Sequence, residues 1–230
     1  MPTISHGHRT GGSLALDPSG LVNQAMQLSQ AGRIQDAAAI YQKALAIDPG
    51  HAGALCNQGS ILQAAGQLDQ AVACYTRALA TSPGLAEVHY NMATVLAALD
   101  RPEEAVASYR QAIAHKPDFA AAYSNLDNAL QGLGRLEEAV DACRSALAMA
   151  PDVAQTHGNL GTALHKLGRL DEAIASYHAA LTRRPESAVV WSNMRAAIKA
   201  QDYPPDAPRE DWRGIMDPEI VDSAPFALLA

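Results

Sequence analysis

The stretches LGRLEEAVDACRSALAMAP (residues 133–151) and LGRLDEAIASYHAALTRRP (residues 167–185) are closely similar and begin 34 residues apart. The proline that ends each stretch belongs to a longer series with the same spacing, namely Pro49, Pro83, Pro117, Pro151 and Pro185. Self-similarity at a fixed period of roughly 20–50 residues is typical of stacked repeat units. The sequence therefore predicts an array of five like units.

Each unit carries the signals of two helices joined by a tight turn. A glycine recurs where the first helix has to end, and Asp100 takes its place once; the glycines are Gly32, Gly66, Gly134 and Gly168. Glycine at this place favours the left-handed residue that closes a helix. Acidic residues such as Glu137 and Glu138 follow, and they suit the positive end of a second helix. The final proline of the unit then ends that second helix.

Small and aromatic residues recur within the second helix. Alanine occupies two positions of this helix in every unit, and tyrosine occupies a third in four of the five. The first alanine series is Ala37, Ala71, Ala105, Ala139 and Ala173, and the second is Ala44, Ala78, Ala112, Ala146 and Ala180. The tyrosines are Tyr41, Tyr75, Tyr109 and Tyr177, and Cys143 replaces tyrosine in the fourth unit. Apolar residues at helical spacing indicate helix faces that pack against neighbours. One helix pair cannot bury such faces alone, so the units are expected to stack.

These units resemble tetratricopeptide repeats, and the resemblance runs from Pro18 to about Gln201. It implies an all-α, right-handed superhelical solenoid of antiparallel helix pairs. The expected repeats are residues 18–51, 52–85, 86–119, 120–153 and 154–187, followed by a cap helix at 188–201. A flexible leader at 1–17 and a Pro-rich acidic tail at 202–230 flank the array.

The tail has two arginines against seven acidic residues and ends in the apolar stretch Pro225 to Leu229. The charges keep the segment soluble, and its apolar end is expected to be buried against another surface. We therefore expect residues 212–229 to dock on this or a neighbouring array, which predicts autoinhibition or self-association through the tail.

Charge, hydropathy and motif content exclude several classes of protein. Residues 18–201 hold 14 Lys and Arg against 16 Asp and Glu with no basic cluster, so nucleic acid is not an expected partner. No run approaches the ~20 apolar residues of a membrane span, and a cytoplasmic location is expected. Cys56, Cys74 and Cys143 are far apart and predict buried free thiols. No catalytic, phosphate-binding or calcium-binding motif occurs, so we expect no enzyme activity, no cofactor and no metal, and interpret His89 and His157 as packing residues.

One position of the first helix is asparagine in all five units and in the cap: Asn23, Asn57, Asn91, Asn125, Asn159 and Asn193. We call these six residues the asparagine series. In the tetratricopeptide family the first helix of each pair lines the concave face. An asparagine amide offers one acceptor and two donors, so it can bond the backbone of an extended peptide without reading its side chains. The series resembles the groove asparagines of O-linked N-acetylglucosamine transferase repeats, which implies a peptide-binding role.

Mostly uncharged residues are expected beside the series, and the possible groove contacts are Tyr90, Asn128, Gln155, Thr162 and His165. Family members that grip a C-terminal carboxylate use a Lys/Arg/Asn cluster. The corresponding positions of the first unit hold Val22 and Met26, so that function is not expected. The alternative for the series is structural, because asparagine is common at this position of the repeat and can bond neighbouring helices.

The sequence thus predicts a non-catalytic scaffold that binds an extended peptide or a partner protein in its concave groove. The alternative is the substrate-recruiting N-terminal module of a glycosyltransferase or similar enzyme, whose catalytic domain is absent from this sequence. The partner itself is not encoded in any motif, because the family presents its groove to unrelated proteins.

Overall fold

A computed structural model describes residues 17–202, and over that range the chain is helical throughout, with no strand. The eleven helices are α1 (Pro18–Gln30), α2 (Ile34–Ile47), α3 (Ala52–Ala64), α4 (Leu68–Thr81), α5 (Ala86–Ala98), α6 (Pro102–His115), α7 (Ala120–Gly132), α8 (Leu136–Met149), α9 (Ala154–Lys166), α10 (Leu170–Arg183) and α11 (Ala188–Asp202). We call the odd-numbered helices A helices and the even-numbered helices B helices. The all-α class expected from the repeat is confirmed. The expected tail docking concerns residues outside the described range.

The left-handed turns expected after the A helices are present. Gly32, Gly66, Gly134 and Gly168 have φ angles of +71 to +76°, and Asp100, the one non-glycine at this place, has φ 57°. The residue after each glycine closes the turn with a bond from its amide to a carbonyl five residues back, as in Arg33 N–H to Leu28 O at 2.9 Å. A 6→1 bond of this kind ends a helix and turns the chain into the next one. The recurring glycine thus sets where four of the five B helices begin, and Asp100 takes its place before α6.

Arginine and acidic side chains mark the start of the B helices. The arginine before the helix pairs with an acid three residues later in four units: Arg33 with Asp36, Arg101 with Glu104, Arg135 with Glu138, and Arg169 with Glu172. The arginine hydrogen bonds hold the pKa values of Glu104, Glu138 and Glu172 below the usual range. These pairs are well exposed, and surface pairs contribute little stability. They define the helix start more than they stabilise the core.

The chain divides into two compact units, one containing α1–α5 and the other α6–α11. Each unit has a core built from the small and aromatic repeat positions. In the first, Tyr41 of α2 is buried against Val22 and Ala25 of α1 and Ala54 of α3. In the second, Tyr177 of α10 is fully buried beside α9. Alanines with no exposed surface allow these helices to approach closely, because a methyl group adds little thickness between them.

Ring nitrogens bridge the turns that lead into three A helices. Nε2 of His89 lies 2.8 Å from the carbonyl oxygen of Pro83, and Nε2 of His157 lies 2.8 Å from that of Pro151. The indole Nε1 of Trp191 makes the same contact with Pro185 O at 2.8 Å. A carbonyl only accepts, so both histidines carry the proton on Nε2. His89 is buried, as expected of a packing residue, whereas His157 is half-buried and is held by its bond to the backbone.

The cysteines depart in part from the expectation of buried thiols. All three are free, but only Cys143 is buried, whereas Cys56 and Cys74 are half-buried. Neither of the half-buried cysteines lies at the tyrosine position that Cys143 occupies. Burial raises the pKa of each thiol, so all three stay protonated at neutral pH.

Candidate functional site

The asparagine series lies at one register of the A helices. Each member is the sixth residue of its helix, in α1, α3, α5, α7, α9 and α11. Asn23 is exposed, and the other five are half-buried. Equal placement on successive A helices brings the amides to corresponding positions on one face within each unit, as the sequence predicts.

In the first compact unit, α1–α5, the asparagine amides make no hydrogen bond within the described part of the chain. The side chains of Asn23, Asn57 and Asn91 have no hydrogen-bond partner among residues 17–202. The polar neighbours of Asn57 are paired instead with a tyrosine: the Tyr75 hydroxyl donates to Gln63 Oε1 at 3.0 Å and lies 3.3 Å from the Ser60 hydroxyl. The α3 face therefore presents a half-buried amide whose donors and acceptor are available to a ligand.

In the second unit Asn159 is engaged on every side. Its Nδ2 donates to Asp127 Oδ2 and to Asn128 Oδ1, both at 2.8 Å, and its Oδ1 accepts from Gln155 Nε2 at 2.8 Å. Both amide hydrogens are used, so Asn159 keeps only one acceptor lone pair for a ligand. This residue bridges α9 to α7, which is the structural alternative for the series.

The centre of this network is the carboxylate of Asp127, which is fully buried on α7. Gln131 Nε2 donates to its Oδ1 at 2.7 Å, and Asn159 donates to its Oδ2. The Cys143 thiol of α8 is a third donor. Burial raises the pKa of the Asp127 carboxyl, and the hydrogen bonds from Gln131, Asn159 and Cys143 oppose that rise. One buried acid thus ties three helices of the second unit together.

Steric fit explains why an acid occurs at this one repeat. In two other repeats the position of Asp127 is glycine, and a Cβ at Gly161 would lie 2.6 Å from the Tyr177 ring while one at Gly59 would lie 2.7 Å from the Tyr75 ring. The remaining repeats have Ala25 and Ala93 there. The tyrosine ring therefore leaves room for no more than a small residue. Cys143 removes the ring, and the carboxylate of Asp127 takes up the space.

Sequence reasoning noted Cys143 in the place of tyrosine but missed Asp127 and its link to Asn159. The signal was present, because aligning the five repeats at a spacing of 34 residues shows Asp127 where each of the other repeats has Gly or Ala. What the alignment does not show is that this position and the tyrosine position face each other. That pairing depends on the packing of an A helix on its B helix.

The other predicted groove residues fall into two groups. Asn128 and Gln155 belong to the Asn159 network, and Thr162 donates to Gly158 O at 3.0 Å and accepts from the Tyr177 hydroxyl at 3.3 Å. Tyr90, Asn125 and His165 are half-buried on their A helices. Asn193 of α11 lines a recess together with Gln155 and Asn159 of α9. The structure thus joins Asn128, Gln155 and Asn159 in one hydrogen-bond network, which the sequence alone does not show.

The described residues offer little for other chemistry. Residues 17–202 contain no group of three or more His, Cys, Asp or Glu side chains placed to hold a metal ion. None of the eleven helices is both long and apolar enough to cross a membrane.

Comparisons with known proteins agree with the fold. The crystal structure of the MamA protein is similar with a TM-score of 0.68 and 21% identity, covering 75% of this chain and 94% of that one. The crystal structure of YrrB, a tetratricopeptide-repeat protein with an unusual peptide-binding site, has a TM-score of 0.70 and 22% identity, covering 81% and 93%. No curated protein sequence matches this chain. At these identities the two structures establish the fold and no more.

Two family models for the tetratricopeptide repeat match the sequence, one at residues 90–154 and 128–188 and the other at residues 50–118. The matched stretches together run from residue 50 to residue 188, which is more than half of the chain. They contain three of the four glycine turns, eight of the ten alanines and three of the four tyrosines of the repeat series, and four of the six members of the asparagine series. The chain belongs to the tetratricopeptide-repeat family.

Proposed function

We propose that the protein is a cytoplasmic, non-catalytic scaffold that holds an extended segment of a partner protein against the A helices. The observation that carries the proposal is the state of Asn57 and Asn91: both are half-buried, occupy the same register, and have no hydrogen-bond partner among residues 17–202. A half-buried amide without a partner loses part of its hydration, and a ligand backbone restores both kinds of hydrogen bond. Asn23, also without such a partner, extends the same contact within the first unit, and Asn193 offers an amide of the same kind in the second.

The asparagine series then divides by role. Asn23, Asn57 and Asn91 bind ligand backbone on the first unit, and Asn193 is available for the same contact on the second, whereas Asn159 holds the A helices of the second unit in place. Further contacts come from Tyr90 on the first unit and from His165 on the second, both half-buried on A helices. Because the amides bond backbone, the ligand is recognised by its extended conformation more than by its side chains.

The test begins with a random peptide library displayed on phage and selected on the full chain. The affinity of one selected peptide is then measured by calorimetry for the wild type and for the N57A/N91A double variant. Each hydrogen bond contributes about 0.5–1.5 kcal/mol, so we expect a loss of roughly 5- to 100-fold in affinity. The matched control is Gln42→Ala, an exposed amide on the B helix α2, which should bind like the wild type.

A second measurement separates backbone recognition from side-chain recognition. The selected peptide is resynthesised with single ester bonds in place of amide bonds, which removes one backbone N–H at a time. Backbone binding predicts that some esters weaken the wild type but leave the N57A/N91A variant unchanged. Equal affinity of the wild type and the double variant for the amide peptide would remove the proposal.

A further inference from the structure

An apolar recess opens on the first unit between α1, α2 and α3. It is lined by Met26, Ser29, Gln30, Ile34, Tyr41, Asn57, Ser60, Ile61 and Ala64. None of these side chains is charged, and Asn57 belongs to the asparagine series. The recess thus combines an apolar floor with an amide that has no partner among residues 17–202.

Two of the lining residues expose more apolar surface than their positions require. Met26 is 42% exposed and Ile34 is 41% exposed. The position of Met26 is polar or small in every other A helix, where it is Ser60, Thr94, Asn128, Thr162 or Ala196. Exposed apolar surface that adjoins a groove is typical of a binding site. The first repeat therefore has an exposed apolar surface that the other repeats lack at this position, and this surface is suited to bind an apolar side chain.

The sequence supplies a segment with the matching chemistry. Residues 224–229 read APFALL and carry no charge, and Phe226 is one of only two phenylalanines in the chain. Pro225 has no backbone N–H and disfavours helical backbone at the residue before it, so the segment favours an extended conformation. An extended, uncharged segment with one large aromatic side chain suits an uncharged recess bordered by a backbone-binding amide. A charged segment would lose its hydration there without gaining a partner.

We propose that this recess binds residues 224–229 of the chain itself, with the Phe226 side chain between Met26 and Ile61 and the Asn57 amide bonded to the backbone of the segment. The inference rests on the proposed function, because Asn57 serves as a backbone contact in both. Its consequence is regulatory: the tail competes with any partner peptide that needs the α1–α3 face.

The direct test uses a fluorescent peptide of residues 217–230 with an amidated C-terminus, titrated into the full chain carrying F226D and L228D. The two substitutions keep the chain's own tail out of the recess. We expect the peptide to bind saturably, and we expect M26D to weaken its affinity at least tenfold, because a charge at this position would lose hydration against the apolar Phe226 side chain. The control is I47D, because Ile47 is also exposed, at 46%, but lies outside the recess. Circular dichroism confirms that each variant is folded.

Three results overturn the inference: no peptide binding up to millimolar protein, equal losses with M26D and I47D, or recess binding of a peptide of residues 1–16 in place of the tail peptide. Light scattering then decides which copy supplies the segment. A mass that rises with concentration in the wild type, and not in the F226D/L228D chain, places it in a second copy. A constant monomer mass, with weaker peptide binding by the wild type than by the F226D/L228D chain, places it in the same copy.

Failure of this inference is distinguishable from failure of the proposed function. If the library-selected peptide depends on Asn57 and Asn91 while the tail peptide does not bind, the groove proposal stands and the tail proposal falls. If the tail peptide binds through Met26 and is indifferent to N57A/N91A, the recess stands without the backbone contact.

Discussion

Helices α3 and α9 carry asparagine at the same register, yet the two amides are in opposite situations. Asn57 of α3 has no hydrogen-bond partner among residues 17–202, whereas Asn159 of α9 bonds Asp127, Asn128 and Gln155. The residue after each asparagine differs as well: Gln58 is buried with its Oε1 unpaired within the described part of the chain, and Leu160 is a core residue. The comparison teaches that an identical residue in an identical helix position takes its role from the neighbouring repeat. Here the deciding neighbour is Asp127.

The largest expected effect follows from removing that neighbour. Asp127→Ala leaves the buried Cys143 thiol and the half-buried amides of Gln131 and Asn159 without this acceptor, and we expect the free energy of unfolding to fall by about 3 kcal/mol. Urea denaturation followed by circular dichroism measures the change. If Asp127→Ala unfolds at the same urea concentration as the wild type, the carboxylate does not hold the α7, α8 and α9 contacts together.

The double variant D127G/C143Y provides a control for the same comparison. It restores the glycine and tyrosine pair that Gly161 and Tyr177 form in the next repeat. Because the ring fills the space that the carboxylate leaves, we expect the double variant to regain most of the stability lost by D127G alone. Stabilities of D127G and C143Y that simply add would show that the two positions are independent.

The next largest effect separates the two asparagines. Asn159→Ala leaves Asp127 and Asn128 short of a donor and should cost about 1–3 kcal/mol of stability. Asn57→Ala breaks no internal hydrogen bond and should change stability by less than about 0.5 kcal/mol. Parallel thermal melts of the two variants make the measurement. Equal losses of stability in the two variants would contradict the different roles assigned to Asn57 and Asn159.

A smaller gain is expected beside Asn57. Gln58 is buried where the three following repeats have Met92, Leu126 and Leu160, and its Oε1 has no partner among residues 17–202. Gln58→Leu removes an unpaired buried oxygen and restores the common core residue, so we expect about 1 kcal/mol of added stability. Denaturation midpoints measure it. A loss of stability would mean that the amide is bonded in solution, and Gln24→Leu on exposed surface is the control.

The smallest effect is a dependence on pH. Burial raises the pKa of Asp127 in the folded chain above its unfolded value, so the folded state binds the proton more tightly. The contribution of Asp127 to stability therefore grows as the pH falls from neutrality toward the ordinary carboxyl pKa of about 4, and it shrinks as the pH rises again. The difference in stability between the wild type and D127N, measured from neutral pH to about pH 4, isolates this group. A difference that stays flat or falls on acidification would contradict the assignment.

Much of the architecture is readable from local chemistry. A left-handed residue after a helix strongly favours glycine, so the recurrence of Gly32, Gly66, Gly134 and Gly168 is enough to mark four turns. Register alone identifies Asp100 as the fifth turn residue, and its φ of 57° confirms it. The alanine and tyrosine series mark the buried faces because close helix packing restricts side-chain volume at those positions.

The candidate site is only partly readable. Register places the asparagine series on the A helices, since a fixed period puts equivalent residues at equivalent places. Register carries no information about which groups an amide meets across a helix interface, and therefore it leaves the roles of Asn57 and Asn159 undecided. The same holds for the recess around Met26, whose lining residues come from three helices.

By itself, the sequence determined the repeat length, the turn residues between helices, the family and the position of the asparagine series, because each of these depends on residues within one period of the chain. Only the tertiary structure decided that Asp127 fills the space vacated by a tyrosine, that it binds Asn159, and that Asn57 is left open beside an apolar recess. The physical reason is that hydrogen-bond satisfaction and steric fit depend on contacts between helices. These contacts join residues up to 32 positions apart, as between Asp127 and Asn159.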